Sequence, residues 1–249
     1  MKINWIVEKN DIDKLIKFVE ENRNPFVDMI ISRNINRQGI CIDKETIIKN
    51  LLMCLLTSQQ PSGPNTKVGL FFQKKPFPLT YSVISKSENI NNLIKQTMLN
   101  NGLNRFINKI PNFFTENFNY LELTKWEIIA ELENKLHGKH SKEIERTIAD
   151  SIDNSFKGFG PKQSRNFLQA LGLTKYEVPI DSRITGWLNK FGFPVLLTST
   201  ALQDKAYYHF VLDGFQILCE NAKIYPCVVD ATIFSSFDKG EWTIENTIY

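Results

Sequence analysis

The sequence predicts an all-α protein of two helical lobes facing each other across a cleft. Three observations carry this expectation. Apolar residues recur at helical spacing along most of the chain, strand-like alternation is sparse, and one glycine-rich turn joins two helices where the chain crosses between lobes. At 249 residues the chain is long enough to bury a core without covalent staples.

The helices follow in order. Asp11 to Glu21 carries Ile12, Leu15, Ile16 and Val19, a single apolar stripe behind an aspartate able to cap it. Lys44 to Thr57 is apolar on most sides, which places it at the centre of its lobe. It stops at Thr57-Ser58-Gln59-Gln60-Pro61-Ser62-Gly63-Pro64, where two prolines and a glycine break the pattern. Helix resumes over Asn65 to Phe72, and the stretch through Pro76, Pro78 and Tyr81 reads as loop. Four segments follow: Asn89 to Asn100, Leu103 to Asn117, Thr124 to Leu136 and Ser141 to Asn154. In the last, Ile144, Ile148 and Ile152 give one buried stripe. Lys162 to Leu171 comes after the glycine-rich turn, another helix starts near Ser182, and the final one covers Ala201 to Asn221. The first lobe is expected to span residues 44–150, and the second to combine 1–43 with 151–249.

Composition sets several classes aside. Charged residues at 23% beside 42% apolar residues are ordinary for a folded domain and argue against disorder. The longest apolar run, Ile48 to Leu56, is interrupted by Lys49 and Asn50 and falls short of the roughly 18 residues needed to cross a bilayer. The opening Met1-Lys2-Ile3-Asn4-Trp5, followed by Glu8 and Asp11, lacks the apolar core of a secretion signal, so an intracellular protein is expected. Cys41, Cys54, Cys219 and Cys227 are too few for a disulfide framework and match no Cys-x-x-Cys spacing. Neither a metal nor another cofactor is expected.

The segment from Ser155 to Ser164, containing Gly158-Phe159-Gly160-Pro161-Lys162, is the most informative in the chain. Its glycines permit positive φ and close approach of a partner to bare amides, and Pro161 suits the first helical position. The product is a tight hairpin that presents a helix N-terminus, a geometry that favours a phosphate and holds a nucleic-acid backbone without reading sequence. Between Lys157 and Lys190, six basic residues stand against Glu177 and Asp181, a local charge of +4 in a chain whose net charge is +3. A plain connection between two helices accounts for the glycines alone.

Lys162 falls in the first turn of that helix, where the dipole disfavours a cation. A neutral lysine amine is a nucleophile able to form a Schiff base. Nineteen residues on, Pro179 enforces extension and Asp181 stands at the N-cap of the next helix. Capping suffices to explain Asp181, and a solvated surface role suffices for an isolated lysine. The chain, however, turns back between them and brings a carboxylate towards an amine.

Gly158 to Lys162 followed by Val178-Pro179-Ile180-Asp181 resembles the helix-hairpin-helix DNA glycosylases that also cleave abasic sites. In order and spacing it is most similar to the 8-oxoguanine glycosylase branch, whose catalytic lysine and aspartate occupy these two places. Leu55-Leu56-Thr57-Ser58-Gln59-Gln60, ending at Thr66-Lys67-Val68, resembles the segment in which that family fills the gap left by an extruded nucleotide. Phe210 to Cys219 resembles the late helix that, in iron–sulfur relatives, leads to a cluster loop; only Cys219 and Cys227 stand here, without that loop. Arg183 stands where many relatives place a histidine, and the 43 residues before Lys44 leave no room for the β domain of the longer eukaryotic-type enzymes.

The resemblance implies a base-excision-repair enzyme acting as a monomer on damaged double-stranded DNA, with Lys162 and Asp181 catalytic and an oxidised purine such as 8-oxoguanine as substrate. It further implies DNA contacts from Gln59, Gln60, Gly158, Gly160, Ser164, Arg165 and Arg183. The base pocket is expected around Phe215, Gln216 and Trp126, with Trp187, Phe113 and Phe114 as further stacking candidates. His137 and His140 read as a solvated loop, and His209 as core or surface. Two other readings stay open: a glycosylase in which Asp181 activates water, and a non-catalytic module that only grips the DNA backbone.

Overall fold

The computed structural model describes residues 4–237, 242–243 and 245–246. Among these the regular structure is entirely helical, with no strand. Thirteen α-helices are present among the described residues: α1 (Lys9–Glu21), α2 (Pro25–Ile30), α3 (Lys44–Leu56), α4 (Lys67–Phe72), α5 (Tyr81–Ser85), α6 (Ile90–Asn100), α7 (Lys109–Leu123), α8 (Glu127–His137), α9 (Lys142–Ser155), α10 (Pro161–Ala170), α11 (Ser182–Phe191), α12 (Lys205–Asn221) and α13 (Pro226–Ser236). A π-helical turn, Ile31–Ile35, continues α2, and a 3₁₀ turn, Ala201–Gln203, precedes α12. No helix among the described residues is long and apolar enough to cross a membrane.

Two hydrophobic cores organise the chain. In the first, α3 is the hub: Ile47, Ile48, Leu51, Leu52, Cys54, Leu55 and Leu56 are all buried, so every face of the helix is covered. Asp43 caps it by accepting from Thr46 N at 2.8 Å. In the second, α13 plays the same part, with Cys227, Val229, Ala231 and Ile233 wholly enclosed and α2 and α11 packed on it. The division between cores comes after the hairpin. Ile152, Phe156, Phe167, Leu168 and Leu171 belong to the first core, and the second takes over at Val178. The hydrophobic cores therefore divide between 173 and 178, because α10 packs on α3 and α9.

Several elements differ from expectation for identifiable reasons. Helix α7 starts at Lys109, since residues 105–108 form turns and Pro111 sits in its first turn, where its missing N–H costs nothing. Helix α5 forms within the expected loop because Thr80 caps Val83 N. Helices α2 and α13 both begin at a proline and are each too short or too uniformly apolar to show a helical stripe. The segment expected as one helix from Ala201 breaks at Asp204, whose carboxylate caps α12 by accepting from Tyr207 N at 2.8 Å.

Candidate active site

The hairpin is built from both ends. Helix α9 closes at Phe156, and Gly158 takes φ +79°, the left-handed region that glycine alone enters freely. A Cβ there would lie 2.5 Å from Phe113 Cδ2, so the position is closed to side chains sterically as well. Asn117, buried on α7, clamps the turn: its Oδ1 accepts from Lys157 N at 2.7 Å and its Nδ2 donates to Lys157 O at 3.0 Å. Gly160 is the N-cap of α10, with no side chain capping the first turn, and a Cβ there would meet nothing within 4 Å. The amides of Lys162 and Gln163 therefore face an open approach at the positive end of a helix.

Lys162 lines an open cleft of about 970 Å³ at the junction of the lobes. Asp181, Gln59, Gln60, Gly158, Gly160 and Arg183 line it too, so the structure brings these sequence-predicted residues together. Lys162 makes no ion pair among the described residues. Asp181 caps α11 through Oδ1, which accepts from Arg183 N at 2.8 Å and Ile184 N at 3.1 Å. Its Oδ2 carries no hydrogen bond among the described residues, leaving one carboxylate oxygen for another task.

The loop that returns Asp181 is held by buried polar groups. The Tyr208 hydroxyl donates to Val178 O at 2.7 Å and accepts from Ile180 N at 2.8 Å, fixing the strand-like stretch just before Asp181. Burial pushes the Tyr208 phenol above its ordinary range. Upstream, Glu145 is buried on α9 and accepts from Lys175 N, Tyr176 N and Glu177 N, so one carboxylate folds the whole turn. His140 Nε2 donates to Lys135 O at 2.9 Å and Nδ1 stands 3.3 Å from Glu145 Oε1, with its side chain 8% exposed, so it is a packed partner of that carboxylate and not part of a solvated loop. His137 ends α8.

Gln59 stands at the cleft mouth with φ +54°, exposed, and accepts from Arg105 Nη2 at 2.7 Å. Gln60 is tied back to Leu56 O. Gln163 Nε2 donates to Ser58 Oγ at 2.7 Å, which locks the Thr57–Pro61 segment to the hairpin helix. Arg183 lays its guanidinium over the Phe234 ring at 4.1 Å.

Five expected site residues stand elsewhere. Arg165 is wholly buried: Nε donates to Glu177 Oε2 at 2.9 Å and Nη2 to Asp150 Oδ1 at 2.8 Å, so its charge is consumed inside the protein and not offered to phosphate. His209 joins the same cluster. Ser164 is buried, with its hydroxyl turned onto Gly160 O and Pro161 O of its own helix. Gln216 is 2% exposed because it donates to Tyr176 O and Glu177 Oε1, and Phe215 is fully enclosed in the second core. Trp126 lies in the first core against Tyr81 and Phe118, with Nε1 donating to Glu122. None of the five lines the cleft, nor do Trp187, Phe113 or Phe114. Phe114 is enclosed in the first core, Phe113 packs against the hairpin, and Trp187 packs with Phe18 and Phe191.

The cleft wall is instead made by residues from far apart in the chain: Phe26 of α2, Gln169 of α10, Asp230 and Phe234 of α13, and Trp242. Phe26 and Trp242 have ring centroids 4.4 Å apart, and Phe26 and Phe234 5.3 Å. Asp230 is buried and accepts from Gln169 Nε2 at 2.7 Å; burial raises its carboxyl to about 8. The one sequence signal for it was a lone acid inside the apolar run Val228 to Ile233.

No family model matches the chain, and no curated protein matches it in sequence. Solved structures do. The 8-oxoguanine DNA glycosylase of Thermotoga maritima superposes with a TM-score of 0.65 at 16% identity, over 93% of this chain and 98% of that one. The 8-oxoguanine DNA glycosylase of Methanocaldococcus jannaschii gives 0.67 at 15% identity, over 94% and 98%. The 8-oxoguanine glycosylase/lyase of the same organism, in complex with a 15-mer DNA containing 8-oxoguanine, gives 0.66 at 17% identity, over 92% and 100%. Sequence identity this low with near-complete coverage speaks to architecture: the chain has the all-helical fold of the helix-hairpin-helix DNA glycosylases.

Proposed function

We propose that this protein is a DNA glycosylase that excises an oxidised purine, 8-oxoguanine being the favoured substrate, and then cleaves the strand through a Schiff base on Lys162. The observation that carries the reading is the shared cleft, in which an amine with no ion-pair partner and a carboxylate with one uncommitted oxygen, both among the described residues, stand beside an uncapped helix N-terminus. A volume of about 970 Å³ is in the range that holds a small organic ligand. The glycosylase folds it shares, one of them solved with lesion DNA, support the same substrate class.

A base inside a duplex hides its glycosidic bond, so the nucleotide must be extruded, and the cost of unstacking is met by contacts elsewhere. The amides around Gly160 grip a backbone phosphate, and Gln59 fills the vacated position from the cleft mouth. Lys162 Nζ attacks the sugar C1′, and the bonding pair of the C1′–N bond leaves with the base. The resulting adduct opens to an imine, and loss of a proton from C2′ expels the 3′ phosphate. Asp181 Oδ2 stabilises the positive charge that develops on the sugar.

Borohydride trapping tests this directly. With an 8-oxoguanine duplex, the wild-type protein forms a covalent adduct with DNA, and Lys162→Ala forms none while excision falls by at least about 10³-fold. Base release without any trapped adduct assigns the chemistry to water activated by Asp181. Binding without base release assigns the protein to the class that only holds DNA.

A further inference from the structure

We propose that Asp230 delivers the proton that departs with the excised base, and that Gln169 holds its carboxyl in position. The inference rests on the glycosylase reading and adds to it an acid for the leaving group: breaking a C1′–N bond leaves a negative base that must take up a proton.

The geometry begins with placement. Asp230 sits mid-way along α13 and lines the same cleft as Lys162 and Asp181, although its residue is only 6% exposed. Its partner Gln169 belongs to α10, the helix whose first turn carries Lys162, so nucleophile and acid are referred to one rigid element. Gln169 Oε1 is buried with no partner among the described residues, and so is Trp242 Nε1. Buried polar atoms are ordinarily satisfied, so an acceptor and a donor in one cavity wall, both without a partner among the described residues, point to a polar ligand. The rings of Phe26, Phe234 and Trp242, packed on one another, supply the apolar part of the same wall, which favours a ligand with an aromatic face. A purine carrying ring N–H and carbonyl groups has both properties.

The surroundings keep Asp230 protonated at neutral pH. Burial raises its carboxyl to about 8 and Asp181 pushes the same way, against the hydrogen bond from Gln169 and the charges of Lys162 and Arg183. Helix α12 contributes Tyr208 and Cys219, and α13 itself Cys227, all three held neutral by burial. On the remaining sides the charged groups of α1 are exposed apart from a half-buried Asp11, Asp28 of α2 is turned to solvent against Arg23, and Arg33 of the π turn donates to Ala170 O. An acid titrating near the working pH is suited to proton transfer.

The step balances without a further reagent. The Lys162 ammonium first gives a proton to solvent; its amine then bonds to C1′ as the C1′–N bond breaks, and the electron pair goes to the base. The Asp230 proton passes to a ring nitrogen of that base, which leaves neutral. The new secondary ammonium on Lys162 then gives up a proton through solvent, and the Asp230 carboxylate regains one.

Single-turnover rates on an 8-oxoguanine duplex and on a preformed abasic duplex, between pH 6 and about 9.5, test the proposal. Wild-type excision should fall about tenfold per pH unit above the titration of Asp230, with no matching fall in abasic-site cleavage. Asp230→Asn should excise about 100-fold more slowly at pH 7 and lose that pH dependence, while trapping on abasic DNA changes less than about 3-fold. Equal losses in both reactions, or excision at the wild-type rate, overturn the proposal. If the variant does not fold, the paired wild-type profiles decide: parallel profiles overturn it. A wild-type protein that excises but never traps removes Lys162 as nucleophile, and the excision profile still judges Asp230. No excision of 8-oxoguanine overturns both readings.

Discussion

Gly158 and Gly160 stand two residues apart in the same turn and are glycine for different reasons. At Gly158 the backbone is left-handed and a Cβ would strike Phe113, so Gly158→Ala should cost about 2–4 kcal/mol of stability, the sum of a left-handed penalty and overpacking. For a chain of this size that lowers Tm by roughly 2–4 °C per kcal/mol. Gly160 has φ −147°, which any residue adopts, and open space around it. Gly160→Ala should leave Tm within about 1 °C and weaken abasic-duplex binding by about tenfold, since a methyl group would stand between the amides and the phosphate. Thermal melts and DNA titrations on the two variants separate a folding glycine from a binding one. From sequence the two were indistinguishable, because the clash at Gly158 comes from Phe113 on another helix.

On the scale of single elements, α10 shows what charge patterning conceals. Lys162 and Arg165 lie within one turn of each other and both look available to phosphate, yet the register of α10 turns Arg165 inward onto Glu177 and Asp150. Arg165→Met leaves Glu177 buried with part of its pairing gone and should destabilise the fold by about 3–5 kcal/mol. Arg183, lying over Phe234 at the cleft, should behave oppositely: Arg183→Ala changes stability little and reduces the slope of log Kd against log salt by about one. Chemical denaturation and binding at several salt concentrations check both. Helices α1 and α9 were legible because one apolar stripe repeats, and α3, apolar on most sides, from its length and the proline–glycine stop that follows it. Helix α13 was not, since a segment apolar on every side has no stripe to detect.

At the scale of the molecule, the cleft exists because two separately packed cores meet around it. The second core is assembled from both ends of the chain, with Phe26 and Val27 of α2 packed against α13. Cross-links between distant segments then set the site. Asn34 donates to Gln169 O and Thr174 O, Gln169 to Asp230, and Tyr208 on α12 holds the backbone before Asp181. Tyr208→Phe leaves Ile180 N and Val178 O without their partner and should cost about 1–3 kcal/mol. It should also slow excision by roughly tenfold through misplacement of Asp181, measured as a loss in kcat/KM with DNA affinity little changed.

By itself the sequence determined the helical class, the hub helix α3 and the hairpin, and it pointed to Lys162 and Asp181, which line one cleft, since each is written in residues close together in the chain. The tertiary structure alone decided which charges face the cleft and what lines its wall: Arg165, Gln216 and Trp126 left the list, and Gln169, Asp230, Phe26 and Trp242 joined it. The reason is range. Local spacing sets helices, caps and turns, whereas burial depends on partners such as Glu177 for Arg165 or Gln169 for Asp230, and those are chosen by how the two cores pack.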